Sequence, residues 1–185
     1  VANAIYTEKH GGCAIVCGAA PSLFADLEAA RLLRPDAKLY GCNNTAALVP
    51  EIEHVWTHHH TLAGQFKRDA KRPIFVHGNT QYPDIDYFWP AHWICGSSGV
   101  GSALWARWLL GYDEVIMCGI PLTPESKVYV EGYPSKPMKN SQTEWAHDGN
   151  FNTWHRQILI RKDEGRFQGI SSMSGWTRET FGAPK

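Results

Sequence analysis

The loop Gly96-Ser97-Ser98-Gly99 can hold an anion, and Asn43 and Asn44 can hydrogen-bond a ligand, provided that the chain brings them to one end of a sheet. The loop's small residues let a ligand approach the backbone. The helix that begins near Val100 offers unpaired N–H groups and the positive end of its dipole. A capped helix without a ligand uses the same residues in the same order. The asparagines follow a strand-like run, and the carboxyl ends of parallel strands are where α/β sheets bind ligands; a turn or a helix cap is their other use. His58-His59-His60 suggests a metal ion. Neighbours on a strand point to opposite faces, however, so at most two of the three can share one ion, and no metal is expected. His147 opens a helical pattern beside a long irregular stretch, where it can face a ligand pocket or simply cap its helix.

The elements that must position these groups read as alternating strands and helices. Cys13–Cys17, Leu39–Cys42, His54–Thr57, Ile74–Val76 and Val115–Cys118 are short apolar runs of the kind found in strands covered on both faces. Between the first two, Gly18-Ala19-Ala20-Pro21 is a small-residue turn. Ser22 can cap a helix over Phe24–Leu33, with Asp26 and Glu28 near its positive end. Residues 61–72 form a short basic helical stretch that reads as a solvated face, and residues 77–92 read as an irregular loop. Val100, Ala103, Leu104, Trp108 and Leu109 recur at helical spacing until Gly111 stops the helix. Residues 123–143 hold three prolines and two tyrosines without a clear period, which is the pattern of a lid or an excursion. Helical spacing resumes over Trp145–Ile160, and Gly169–Ser174 reads as a last short strand and loop before a polar end.

Composition narrows the classes further. The 185 residues suit one domain, 1–185. With 18 basic and 18 acidic residues there is no global field to attract nucleic acid or an anionic membrane. The five cysteines sit in or beside apolar runs, and their odd number suits reduced thiols in a cytoplasmic protein better than a disulfide framework. No apolar run approaches the roughly 20 residues of a membrane span, and no signal peptide is visible.

Four separated stretches, GAAPSL at 18–23, GCNNT at 41–45, SSGV at 97–100 and GYDEVIMCGI at 111–120, together resemble the bacterial lipooligosaccharide sialyltransferases. They also resemble the related archaeal pterin diphosphokinase and flagellin-modification families. The resemblance spans residues 13 to about 160. It implies a Rossmann-like α/β fold, with a mainly parallel sheet flanked by helices and a lid near 123–143 that closes over a CMP-sugar. By this resemblance Gly18, Ala19, Ser22, Asn43, Asn44, His58, Ser97, Ser98 and Gly99 bind the nucleotide-sugar donor. His147 falls at the family's general base, which takes the proton of an acceptor hydroxyl, and Tyr129 at a lid tyrosine that steadies the departing phosphate. The chemistry of an imidazole and a phenol suits those tasks.

The chain departs from the family pattern in places. Ala19 replaces an asparagine, Pro121 an aspartate, Thr123 a second lid tyrosine and His58 another asparagine. The leading expectation is therefore an inverting, metal-independent glycosyltransferase with no bound cofactor. Its donor is a CMP-linked sugar and its acceptor a glycan or another hydroxyl compound; a homo-oligomer is compatible with the sequence. The alternatives are a magnesium-dependent diphosphokinase of the pterin type, whose most natural metal ligand is lost at Pro121, and a non-catalytic nucleotide-binding protein that kept the fold.

Overall fold

The structure, a computed structural model, describes residues 9–90, 97–123, 129–134 and 148–185. Seven strands form one sheet: β1 (Cys13–Cys17), β2 (Lys38–Cys42), β3 (His54–Thr57), β4 (Phe75–Gly78), β5 (Tyr87–Phe88), β6 (Glu114–Cys118) and β7 (Ile170–Ser172). Every pairing is parallel, in the order β5-β4-β3-β2-β1-β6-β7. The architecture is α/β and Rossmann-like. From β1 the chain steps outward to β5, then returns to the other side of β1 with β6. The order therefore reverses between β1 and β6, the kind of switch point at which such sheets bind ligands.

The strand sequences explain why both sheet faces are covered. In β1, Ala14 and Val16 point to one face and Ile15 and Cys17 to the other, and all four are fully buried; Val115, Ile116, Met117 and Cys118 repeat the pattern in β6. One face packs on α1 (Leu23–Leu33) and α2 (Ala63–Ala70) through Leu23, Leu27, Ala30, Ala63 and Phe66. The other packs on α3 (Ser98–Leu104), on the helical turns that follow it, and on α4 (Asp148–Asp163) through Val100, Leu104, Trp105, Phe151 and Ile158. A last helix, α5 (Gly175–Phe181), closes the β7 end with Trp176 and Phe181 against the same cluster.

Several local expectations change. Ser22 is not a side-chain cap: its backbone is already helical, and its hydroxyl bonds elsewhere. The stretch 77–92 is not wholly irregular, since β4 extends to Gly78 and β5 adds a two-residue strand. The helix of α3 continues as a π-helix over Trp105–Leu110 before Gly111 ends it in a left-handed conformation, φ +82°. The polar end contains α5, whose sequence GWTRETF carries little apolar period. No helix among the described residues is long and apolar enough to cross a membrane.

Candidate ligand site at the carboxyl end of the sheet

At the switch point the loops after β1 and β6 are locked together. Gly18 N donates to Cys118 O at 2.8 Å and Ala20 N to Gly119 O at 3.1 Å. A Cβ on Gly18 would come within 2.5 Å of the Gly119 carbonyl, so only glycine fits there. Beneath them Asp26, 8% exposed, accepts from Gly119 N at 2.9 Å, Ser22 Oγ at 3.0 Å and Ser174 Oγ at 2.6 Å. Its carboxylate thus ties α1, the loop after β6 and the start of α5 into one knot. Ser22 spends its hydroxyl on that knot. The backbone N–H groups of Gly18, Ala20 and Gly119 are likewise bonded within the protein.

The end of β2 is built differently. Asn43 takes a left-handed conformation, φ +54°, and its Oδ1 accepts from Thr57 Oγ1 at 2.8 Å, linking β2 to β3. Asn44 is 2% exposed, and its Nδ2 donates to Asp69 Oδ2 at 2.6 Å and to Pro134 O at 3.1 Å. The turn beyond is held by Arg72, whose guanidinium donates to the carbonyls of Ala46, Val49, Pro50, Ile52 and Ala70. The basic stretch read as a solvated face thus contains a half-buried structural arginine. Thr57 Oγ1 also accepts from His59 N at 2.8 Å. His58 meets Trp56 edge-on, and His60 lies beside Tyr82. Burial, with His58 and His60 as neighbours, holds His59 below the ordinary imidazole range. Among the described residues no cluster of three metal-ligating side chains forms.

The segment 129–134 lies across both loops. Val130 N donates to Ala19 O at 2.8 Å, and Asn44 N donates to the Tyr133 hydroxyl at 3.4 Å. Tyr129 and Tyr133 stack with ring centroids 4.3 Å apart. Burial, then the nearby Cys42, pushes the Tyr129 phenol above its ordinary value; burial, then Tyr129, does the same to Tyr133. Both remain protonated and able to donate at neutral pH. Sequence reasoning singled out Tyr129 and missed Tyr133, whose spacing four residues on was the available signal.

The helix start at Ser97–Gly99 reaches the same end of the sheet. A Cβ on Gly99 would meet the Ile120 side chain at 2.9 Å, so α3 begins directly against the loop after β6. Ser97 stands at the cap position without a capping hydroxyl bond, and Ser98 O accepts from Ser102 Oγ at 2.7 Å. The loop itself is clamped from behind. Thr177 Oγ1 donates to Ile120 O at 2.6 Å and His155 Nε2 to Leu122 O at 2.9 Å, with Leu122 in a left-handed conformation, φ +46°. His155, not singled out from sequence, also stacks on Trp176 at 3.7 Å.

The structure therefore brings Gly18, Ala19, Ser22, Asn43, Asn44, His58, Ser97, Ser98, Gly99 and Tyr129 to the carboxyl end of the sheet. His147 lies outside the described residues. A separate cleft of about 750 Å³ lies at the opposite end, between the starts of β1, β2 and β6; the Arg34–Glu114 ion pair, at 2.7 Å, lines it. No protein-family model, no curated protein and no solved structure matches this chain.

Proposed function

We propose that the chain is a sialyltransferase-like glycosyltransferase that takes a nucleotide-activated, CMP-linked sugar and inverts its anomeric centre. The observation that carries this reading is that the 129–134 segment docks on Ala19 and Asn44 together. Those residues belong to two of the separated stretches that resemble the family, and the segment belongs to the region that corresponds to its lid. His147 acts as general base on the acceptor hydroxyl, whose oxygen attacks the anomeric carbon as CMP departs. Tyr129, kept protonated by its burial, donates a hydrogen bond to the phosphate oxygen that gains charge. Because Gly18 N, Ala20 N and Ser22 Oγ are already bonded, the phosphate belongs nearer Ser97–Gly99 than Gly18.

The test is a thermal-shift panel of CMP, CDP, UDP, GDP, AMP and ATP, each with and without magnesium. A metal-independent rise with CMP is expected. His147→Ala should then abolish transfer from a CMP-sugar while leaving the CMP shift in place. A rise with ATP and magnesium alone would replace this reading with the diphosphokinase one, and no rise with any nucleotide would overturn both.

A further inference from the structure

Within that site, Asn44 carries an unanswered polar atom. Its Nδ2 donates to Asp69 Oδ2 and Pro134 O, two groups that only accept. A rotated amide would set oxygen against oxygen, so the assignment of its two branches is fixed. The other branch, Oδ1, is buried and has no donor among the described residues. Buried acceptors are normally satisfied, so this one marks a place for a donor from outside the described chain. The surroundings are negative in character. Asp69 stands beside it, with its second oxygen held by Gln65 Nε2 at 2.6 Å, and the Pro134 carbonyl lies on the other side. A phosphate is repelled there and an N–H is attracted. The Tyr129–Tyr133 stack lies next to the same residue, joined to it through the Tyr133 hydroxyl, and flat rings pack well on such a surface.

We infer that Asn44 reads the nucleobase of the ligand: its Oδ1 accepts an N–H from the base edge, and the phosphates lie away from Asp69. This rests on the nucleotide-sugar reading and adds to it the direction in which the ligand lies. Pro134 O and the Tyr133 hydroxyl bond the Nδ2 and backbone N of Asn44, not its Oδ1, so the base N–H adds to those contacts.

The experiment is calorimetric titration of cytidine, CMP and the 5′-monophosphate of N4,N4-dimethylcytidine, whose exocyclic nitrogen has no hydrogen, into wild type and Asn44→Ala. In wild type the dimethyl compound should bind roughly tenfold more weakly than CMP, the worth of one neutral hydrogen bond. Asn44→Ala should weaken cytidine and CMP by the same factor and erase the penalty of the dimethyl compound. Equal binding of CMP and its dimethyl form to wild type, an arm that needs no variant to fold, would overturn the inference and leave the nucleotide site standing. So would an Asn44→Ala loss confined to CMP, which would place the phosphate there instead. If neither cytidine nor CMP bound wild type, the nucleotide reading itself would fall, and the inference with it.

Discussion

The two faces of the sheet are made from alternate residues of the same strands yet are held by different forces. The face under α1 and α2 is mainly aliphatic: Ile15, Leu27, Ile52, Val55, Val76 and Ile116 meet there, with the Asp26 carboxylate at its carboxyl-end margin. Burial pushes the Cys17 thiol to about 12, so it behaves as one more apolar group. The face under α3 is aromatic and carries polar heads in its interior. Tyr40 and Tyr112 share a hydroxyl–hydroxyl bond of 2.7 Å. Trp89 Nε1 donates to His77 Nδ1 at 3.1 Å, and His77 Nε2 then donates to His54 Nδ1 at 2.9 Å. Trp56 and Trp105, stacked 5.7 Å apart, keep indole N–H groups that find no acceptor among the described residues. One face is stabilised by area and is indifferent to direction; the other depends on a particular arrangement of donors and acceptors.

The largest expected effect lies on the aliphatic face. Ile116→Ala leaves a cavity at a fully buried site and should cost about 3 kcal/mol in urea unfolding, against about 1 kcal/mol for Ile116→Val. A loss under about 1 kcal/mol for the alanine variant would show that this face is not close-packed.

The aromatic face should answer to pH instead. Burial, then the neighbouring His54, holds His77 well below the ordinary imidazole range, so it is neutral in the native state. In the unfolded chain it takes up a proton as pH falls below about 6.5. The folded state does not, so its contribution to stability is full above that value and declines below it. The slope reaches at most about 1.4 kcal/mol per pH unit. His77→Phe should cost about 2 kcal/mol at pH 7, because the Trp89 donor and His54 lose their partner, and should flatten stability between pH 6.5 and 5. An unchanged slope in that variant would assign the pH dependence to other histidines.

The smallest effect sharpens the contrast. Trp105→Phe removes an unanswered N–H along with some packed area, two changes of opposite sign, and should shift stability by less than about 1 kcal/mol. A loss above about 3 kcal/mol would mean that the indole has a partner.

What was legible in the sequence follows the same division. The apolar runs of β1, β2, β3 and β6 and the α1 helix could be read because burial on both faces writes itself as a continuous hydrophobic stretch. The two residues of β5 are too few to show a period, and the pattern of α5 is hidden because only part of one face is covered. Asp26 reads as an acid favoured by the helix dipole, whereas its work is to join three segments distant in sequence. Arg72 in a basic run is indistinguishable from a solvent-facing charge until the turn around it is built. The asparagines, the serine loop and Tyr129 were found as residue types, but that Asn44 is the buried member of its pair and that Tyr133 bonds it depend on tertiary contacts.

The clamp on the loop after β6 also sets the order in which the molecule can be completed during synthesis. Ser174 and Thr177 are made long after Gly119, Ile120 and Leu122, and at about 5–20 residues per second the delay is a matter of seconds. Through that interval the nascent chain holds five strands and β1's new neighbour but not the groups that fasten its central loop. A chain stalled short of α5 would therefore present a nearly finished sheet whose central loop is still unfastened.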